Sequence, residues 1–123
     1  MKVKIFGKEF DAAYTISAQK EIAENLGGLD QIKDALTGDG YLYNLAMMAS
    51  AILKGGERRE RLRCKMYGEK YVGNGSLTKE ELEEAAGSAE DVKALTQMVL
   101  QTMLHGEKVT VELAPQKKEE ATR

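Results

Sequence analysis

The sequence predicts a mainly helical α+β domain: about five helices, with a small antiparallel sheet formed by an N-terminal hairpin and a C-terminal strand. Three observations lead there. Lys2, Val3, Lys4 and Ile5 alternate polar with apolar, and a second short strand pattern resumes after Gly7-Lys8. Between residues 17 and 105 apolar side chains recur mostly at three-and-four spacing, in stretches cut by glycines. Val109, Val111 and Leu113 then alternate with Lys108, Thr110 and Glu112. At 123 residues the chain has room for one domain with a proper core and little room for two. That domain is expected over residues 1–114. Residues 115–123 form a charged tail expected to be disordered.

Each element has its own signal. Alternation on both sides of a Gly-containing turn reads as a β-hairpin, with Val3 and Ile5 on one face. A lone hairpin is marginal in water, so the strand at 108–113 is expected to pair with it. Ser17 is a good N-cap type for a helix that ends at Leu26-Gly27-Gly28. Leu29, Ile32 and Leu36 suggest a short second helix. The third runs from about Tyr41 to Lys54. Leu42, Leu45, Ala49, Ile52 and Leu53 form its stripe, and Met47, Met48 and Ala51 widen it, as for a helix buried on more than one side. Gly55-Gly56 is expected to stop it. A thin amphipathic segment follows around Leu62 and Met66, and Gly68, Gly73, Asn74 and Gly75 mark a loop. Thr78 and Glu81 have capping-box spacing, with Leu77 and Leu82 as the hydrophobic staple of a helix starting at Lys79. Ser88 can cap the last helix, which carries Val92, Leu95, Met98, Val99, Thr102 and Met103 at helical spacing. Gly106 is its expected C-cap.

Composition narrows the function classes. There are 18 Lys plus Arg and 20 Asp plus Glu. That balance argues against a chain built as a whole to hold nucleic acid. No apolar run approaches the roughly 20 residues needed to cross a bilayer, and the N-terminus has no long apolar stretch of a signal peptide. The single Cys can form no internal disulfide. The expectation is a soluble protein of the cytoplasm with no membrane partner.

Several signals have both a functional and a plainer reading. Asn74, Gly75 and Glu81 fit positions five, six and twelve of an EF-hand loop, but positions one and three fall on Lys70 and Val72, where calcium needs oxygen ligands. The capping box explains Glu81 without a metal. Arg58, Arg59, Arg61 and Arg63 lead a basic segment of local charge +3 over residues 57–71. It is a candidate phosphate-contact patch, although a solvated helix face accounts for it more simply. Cys64 sits among arginines that favour a thiolate, yet no His is nearby in sequence. His105 has no second His or Cys with which to share a metal. Neither a catalytic constellation, a cofactor motif nor a metal set is recognisable, so a non-enzymatic role is expected. Methionines filling a core can also serve adaptable partner binding. Met47, Met48, Leu95, Met98 and Met103 are therefore the candidate partner-binding residues, with core packing as their plainer role.

The order of elements resembles a known family. A short hairpin (Lys2 to Tyr14) leads into a helix ending Leu26-Gly27-Gly28. An apolar central helix (Leu42 to Leu53), a linker, a Leu-Thr-x-Glu-Glu-Leu helix start (Leu77 to Leu82) and a final amphipathic helix follow. Over residues 2–106 this resembles the tail assembly chaperones of long-tailed bacteriophages and prophages. The resemblance implies a small, mostly helical, non-enzymatic protein of the bacterial host cytoplasm. It also implies that the protein binds the tape measure protein, the tail tube protein, or both, during tail assembly. The charged insert 57–75 and the strand at 108–113 depart from the family's simplest pattern. A second copy of the chain is a further candidate partner. The alternative function is a small prophage-encoded nucleic-acid-binding regulator using the basic segment 58–70.

Overall fold

Strands β1 (Lys2–Ile5) and β2 (Lys8–Asp11) pair antiparallel, with Val3 opposite Phe10 and Ile5 opposite Lys8. The computed structural model describes the backbone of residues 1–113 and the side chains of residues 1–105. The hairpin turn is Phe6-Gly7, one residue earlier than the sequence suggests. Both have positive φ, 52° and 77°, as in the two-residue turns whose twist matches that of the strands. One hairpin face is apolar: Ile5 and Phe10 are buried and Val3 is half-buried. On the other face Lys2 pairs with Asp11 at 2.8 Å.

Helix α1 (Ile16–Leu26) is capped by Thr15, whose Oγ1 accepts from the Ala18 amide at 3.2 Å, and ends on Gly27 in the left-handed region. A 3-10 turn (Leu29–Gln31) leads into the short α2 (Ile32–Ala35). Helix α3 then runs unbroken from Tyr41 to Tyr67. This corrects the expected stop at Gly55-Gly56 and the expected separate helix after it. The two glycines are internal because β2 and the residues after it cross α3 there, too close for any side chain. The Ala13 amide donates to the Ile52 carbonyl at 3.1 Å at the same crossing.

Helices α4 (Lys79–Ala85) and α5 (Ala89–Leu113) close the domain. Thr78 Oγ1 accepts from the Glu81 amide at 3.1 Å, and Glu81 Oε1 accepts from the Thr78 amide at 2.8 Å, so the capping box is complete. Leu82, its staple residue, is fully buried, and Leu77 packs against the core. Ser88 Oγ accepts from the Asp91 amide at the start of α5.

Among the described residues the sheet has two strands only. Residues 108–113, expected as a third strand, continue α5, and Gly106 lies within the helix. Two physical terms favour this. Extending a formed helix adds one hydrogen bond per residue ordered. β2 packs against α3 and α5 packs on β1, so helices already cover the hairpin that is too small to stand alone. The charged tail expected from residue 115 lies outside the described residues.

Helix α3 is the axis of the core. Every residue from Leu45 to Leu53 is buried, and α1, α2, α4, α5 and β2 all pack on this helix. The one hydroxyl in that stretch, on Ser50, donates to the Leu77 carbonyl at 2.9 Å, which satisfies both groups and ties the loop before α4 to the core. Among the described residues, no helix is long and apolar enough to cross a membrane.

Candidate functional site

The first turn of α3 projects beyond the core. Tyr41, Leu42 and Tyr43 are 41%, 52% and 53% exposed, although Leu45 and Ala46 just after them are buried. Consecutive residues on a helix point about 100° apart, so three large apolar residues in a row cannot all turn inward. Around this turn, α4 and the start of α5 meet at the corner Ala86-Gly87-Ser88. Leu42, Ala46, Leu82, Val92 and Leu95 line a cleft of about 300 Å³ between the three helices. A second cleft, which shares Leu42, Ala86 and Val92, continues it past Tyr41 toward Ser88. Together they form one apolar groove.

One wall of the groove is pinned by charge. Lys79 Nζ lies 4.4 Å from the centre of the Tyr43 ring and 3.3 Å from Glu83. The ring fixes the ammonium over its negative face, and the capping box fixes the helix that carries it.

Most of the sequence-derived partner residues do not lie on this surface. Met47, Met48, Leu95 and Met98 are buried, at 0–4% exposure, and Met103 is half-buried against the core. That burial fits the core-packing role the sequence also offers these residues, and Met47, Met48 and Met98 present almost no surface to a partner in this fold. Leu95 contributes from the floor of the groove. The groove residues that sequence reasoning missed are Tyr41, Tyr43, Ala86 and Val92, with Leu42, which was assigned to the core stripe. The run Tyr41-Leu42-Tyr43 was the available signal.

The basic patch lies on the last turns of α3, and half of it is neutralised locally. Arg61 bonds Glu57 at 2.7 Å and stacks 4.1 Å over the Tyr71 ring. Arg63 holds Glu60 at 2.6 Å and Glu69 at 3.1 Å, and the bonds from Arg63 lower the Glu60 carboxyl below its usual range. Arg58 and Arg59 are exposed and in no ion pair among the described residues. Cys64 is buried against α3's own turn, and burial pushes its thiol pKa up rather than down. The neighbouring arginines do not activate it.

The calcium-like loop is committed elsewhere. The Asn74 side-chain Nδ2 donates to the Glu9 carbonyl at 2.7 Å, and Glu81 belongs to the capping box. Lys70 and Val72 are exposed at the remaining positions. His105 is exposed on α5. Among the described residues, no group of three His, Cys, Asp or Glu side chains is arranged to hold a metal. Comparison with protein-family models, with curated proteins and with solved structures finds no match to any of them.

Proposed function

We propose that the chain is a non-enzymatic assembly chaperone of a phage or prophage tail, acting in the host cytoplasm. In this reading it holds an apolar helical face of the tape measure protein, or a segment of the tail tube protein, in the groove between α3, α4 and α5. The observation that carries the proposal is the exposed apolar turn Tyr41–Tyr43 beside a groove floored by core residues. Such a groove suits an amphipathic helix, which lays its apolar side chains into it. Its floor residues Leu82 and Leu95 are already packed, so binding has little of the receptor left to order. The order of elements that resembles the tail assembly chaperones supports the same reading.

The test is co-expression with a tape measure protein and with a tail tube protein of a long-tailed phage. Wild type should co-purify with one of them. Leu42→Glu should lose at least about tenfold in affinity, because it sets an unpaired charge in an apolar contact, while its circular dichroism melt is unchanged. Capture of neither protein by wild type, or equal capture by Leu42→Glu, would overturn the proposal. A salt-sensitive DNA or RNA complex abolished by Arg58→Ala with Arg59→Ala would favour the regulator instead.

A further inference from the structure

The far end of α3 carries a surface that complements the groove. Leu62 and Met66, 55% and 68% exposed, lie one turn apart on one face. Arg58 and Arg59 precede Leu62 by one turn and form no ion pair among the described residues. From residue 57 to 67 there are five cations against two carboxylates. The segment that borders the groove has the opposite net charge. The groove's walls, α4 and the first turn of α5, carry six carboxylates against Lys79 and Lys93 over residues 79–93. Glu83 lines the cleft, where it pairs with Lys79, and Lys93 lines its continuation, so the acidic excess lies on the carboxylates around the groove.

These two surfaces cannot meet within one molecule. Leu42 and Leu62 are separated by 20 residues of continuous helix, or roughly 30 Å at 1.5 Å per residue. Only another copy can bring a ridge to a groove.

We propose that the chain associates head to tail with itself: the Leu62–Met66 ridge of one copy seats in the α3–α4–α5 groove of the next. Apolar side chains fill the groove while Arg58 and Arg59 face the acidic walls. The contact is heterologous, so each added copy leaves one groove and one ridge open. It rests on the groove being the docking surface of the preceding section, and it gives that surface a regulator. A seated ridge hides Leu42, so a client must displace the neighbouring copy, and every associated copy but the terminal one keeps its apolar groove covered.

The test uses the full chain in analytical ultracentrifugation over a concentration series. Wild type should self-associate, and raising salt from about 0.05 to about 0.5 M should weaken association several-fold. Leu42→Glu (ridge intact) and the double variant Leu62→Glu/Met66→Glu (groove intact) should each be monomeric. Mixed together they should form a one-to-one heterodimer and nothing larger, because each supplies one working surface. All three substitutions are at exposed positions, and unchanged melts confirm folding. A wild type that stays monomeric, a double variant that still associates, or a mixture that does not pair would overturn the proposal. Client capture separates this from the functional reading. The double variant, whose groove no neighbouring copy covers, should capture client more tightly than wild type does, and Leu42→Glu should not capture it. A monomeric wild type that still captures client removes the self-association alone. Self-association of the stated pattern without client capture supports it and removes the chaperone reading.

Discussion

A Cβ atom on Gly55 would sit 2.7 Å from the carbonyl oxygen of Ala13, closer than real Cβ contacts allow. At Gly56 the crowding is tighter still, against the Asp11 carbonyl group. The segment leaving β2 thus lies directly on the backbone of α3, and the bond from the Ala13 amide to Ile52 fixes it there. Each glycine costs the helix about 1 kcal/mol relative to alanine. Both are required where the two chain segments touch.

Gly56→Ala should therefore destabilise the domain in spite of better helix propensity. The gain of about 1 kcal/mol is outweighed by displacing backbone, and a net loss of about 1–3 kcal/mol is expected. Gly87→Ala is the control. Nothing lies within 4 Å of its added Cβ, and the change should stay within about 0.5 kcal/mol. Urea denaturation of the two variants decides; equal midpoints would show that the crossing can relax.

Leu95 and Leu42 should separate stability from docking. Leu95 is 3% exposed, and Leu95→Ala should cost about 2–5 kcal/mol. Leu42 is half-exposed, and Leu42→Glu should move stability by no more than about 0.5 kcal/mol. Thermal melts of both, beside client capture, check this. A large loss in the Leu42 variant would make that residue part of the core.

Thr78 caps α4 and, through it, sets one wall of the groove. Thr78→Ala removes the acceptor for the Glu81 amide and should cost about 1 kcal/mol. Thr78→Ser keeps a hydroxyl at the same place and should recover most of it. Chemical denaturation of the pair distinguishes a cap from a mere packing contact.

Glu57 gives the domain a pH dependence of known sign. Bonds from Arg61 and Ser76 hold its carboxyl below the usual carboxylate pKa. Its contribution is thus fully present above the unfolded-state value and is lost as pH falls through the lower folded-state value. About 1 kcal/mol should disappear as pH falls below the unfolded-state value and through the lower folded-state one. Glu57→Gln should be less stable than wild type at pH 7, and the difference should shrink steadily as the pH is lowered into the acid range. Ser76 lies on the loop that follows α3, so hydrogen exchange in that loop should quicken over the same range. An unchanged difference between the two proteins across that range would show that Glu57 is not responsible.

Local chemistry determined several elements. The capping box at Thr78 and Glu81, the left-handed stop at Gly27 and the strand alternation around Gly7 each depend on neighbours within about four residues. All three are found where the sequence puts them, apart from a one-residue shift in the turn. The burial of α3 was legible for the same reason, since an apolar surface as broad as Leu42 to Leu53 has to be covered from several sides. What the sequence could not show depends on segments far apart in the chain. Gly55-Gly56 reads as a helix stop until β2 is seen crossing it. Residues 108–113 alternate like a strand, but α3 and α5 already cover the hairpin, and the helix simply continues. The groove was hidden for the same reason. Leu42 and Leu45 share one apolar stripe, and only the corner between α4 and α5 decides that Leu45 is covered and Leu42 is left at the surface. Periodicity along a chain says which side chains avoid water; which of them find cover is settled by the elements that pack against them.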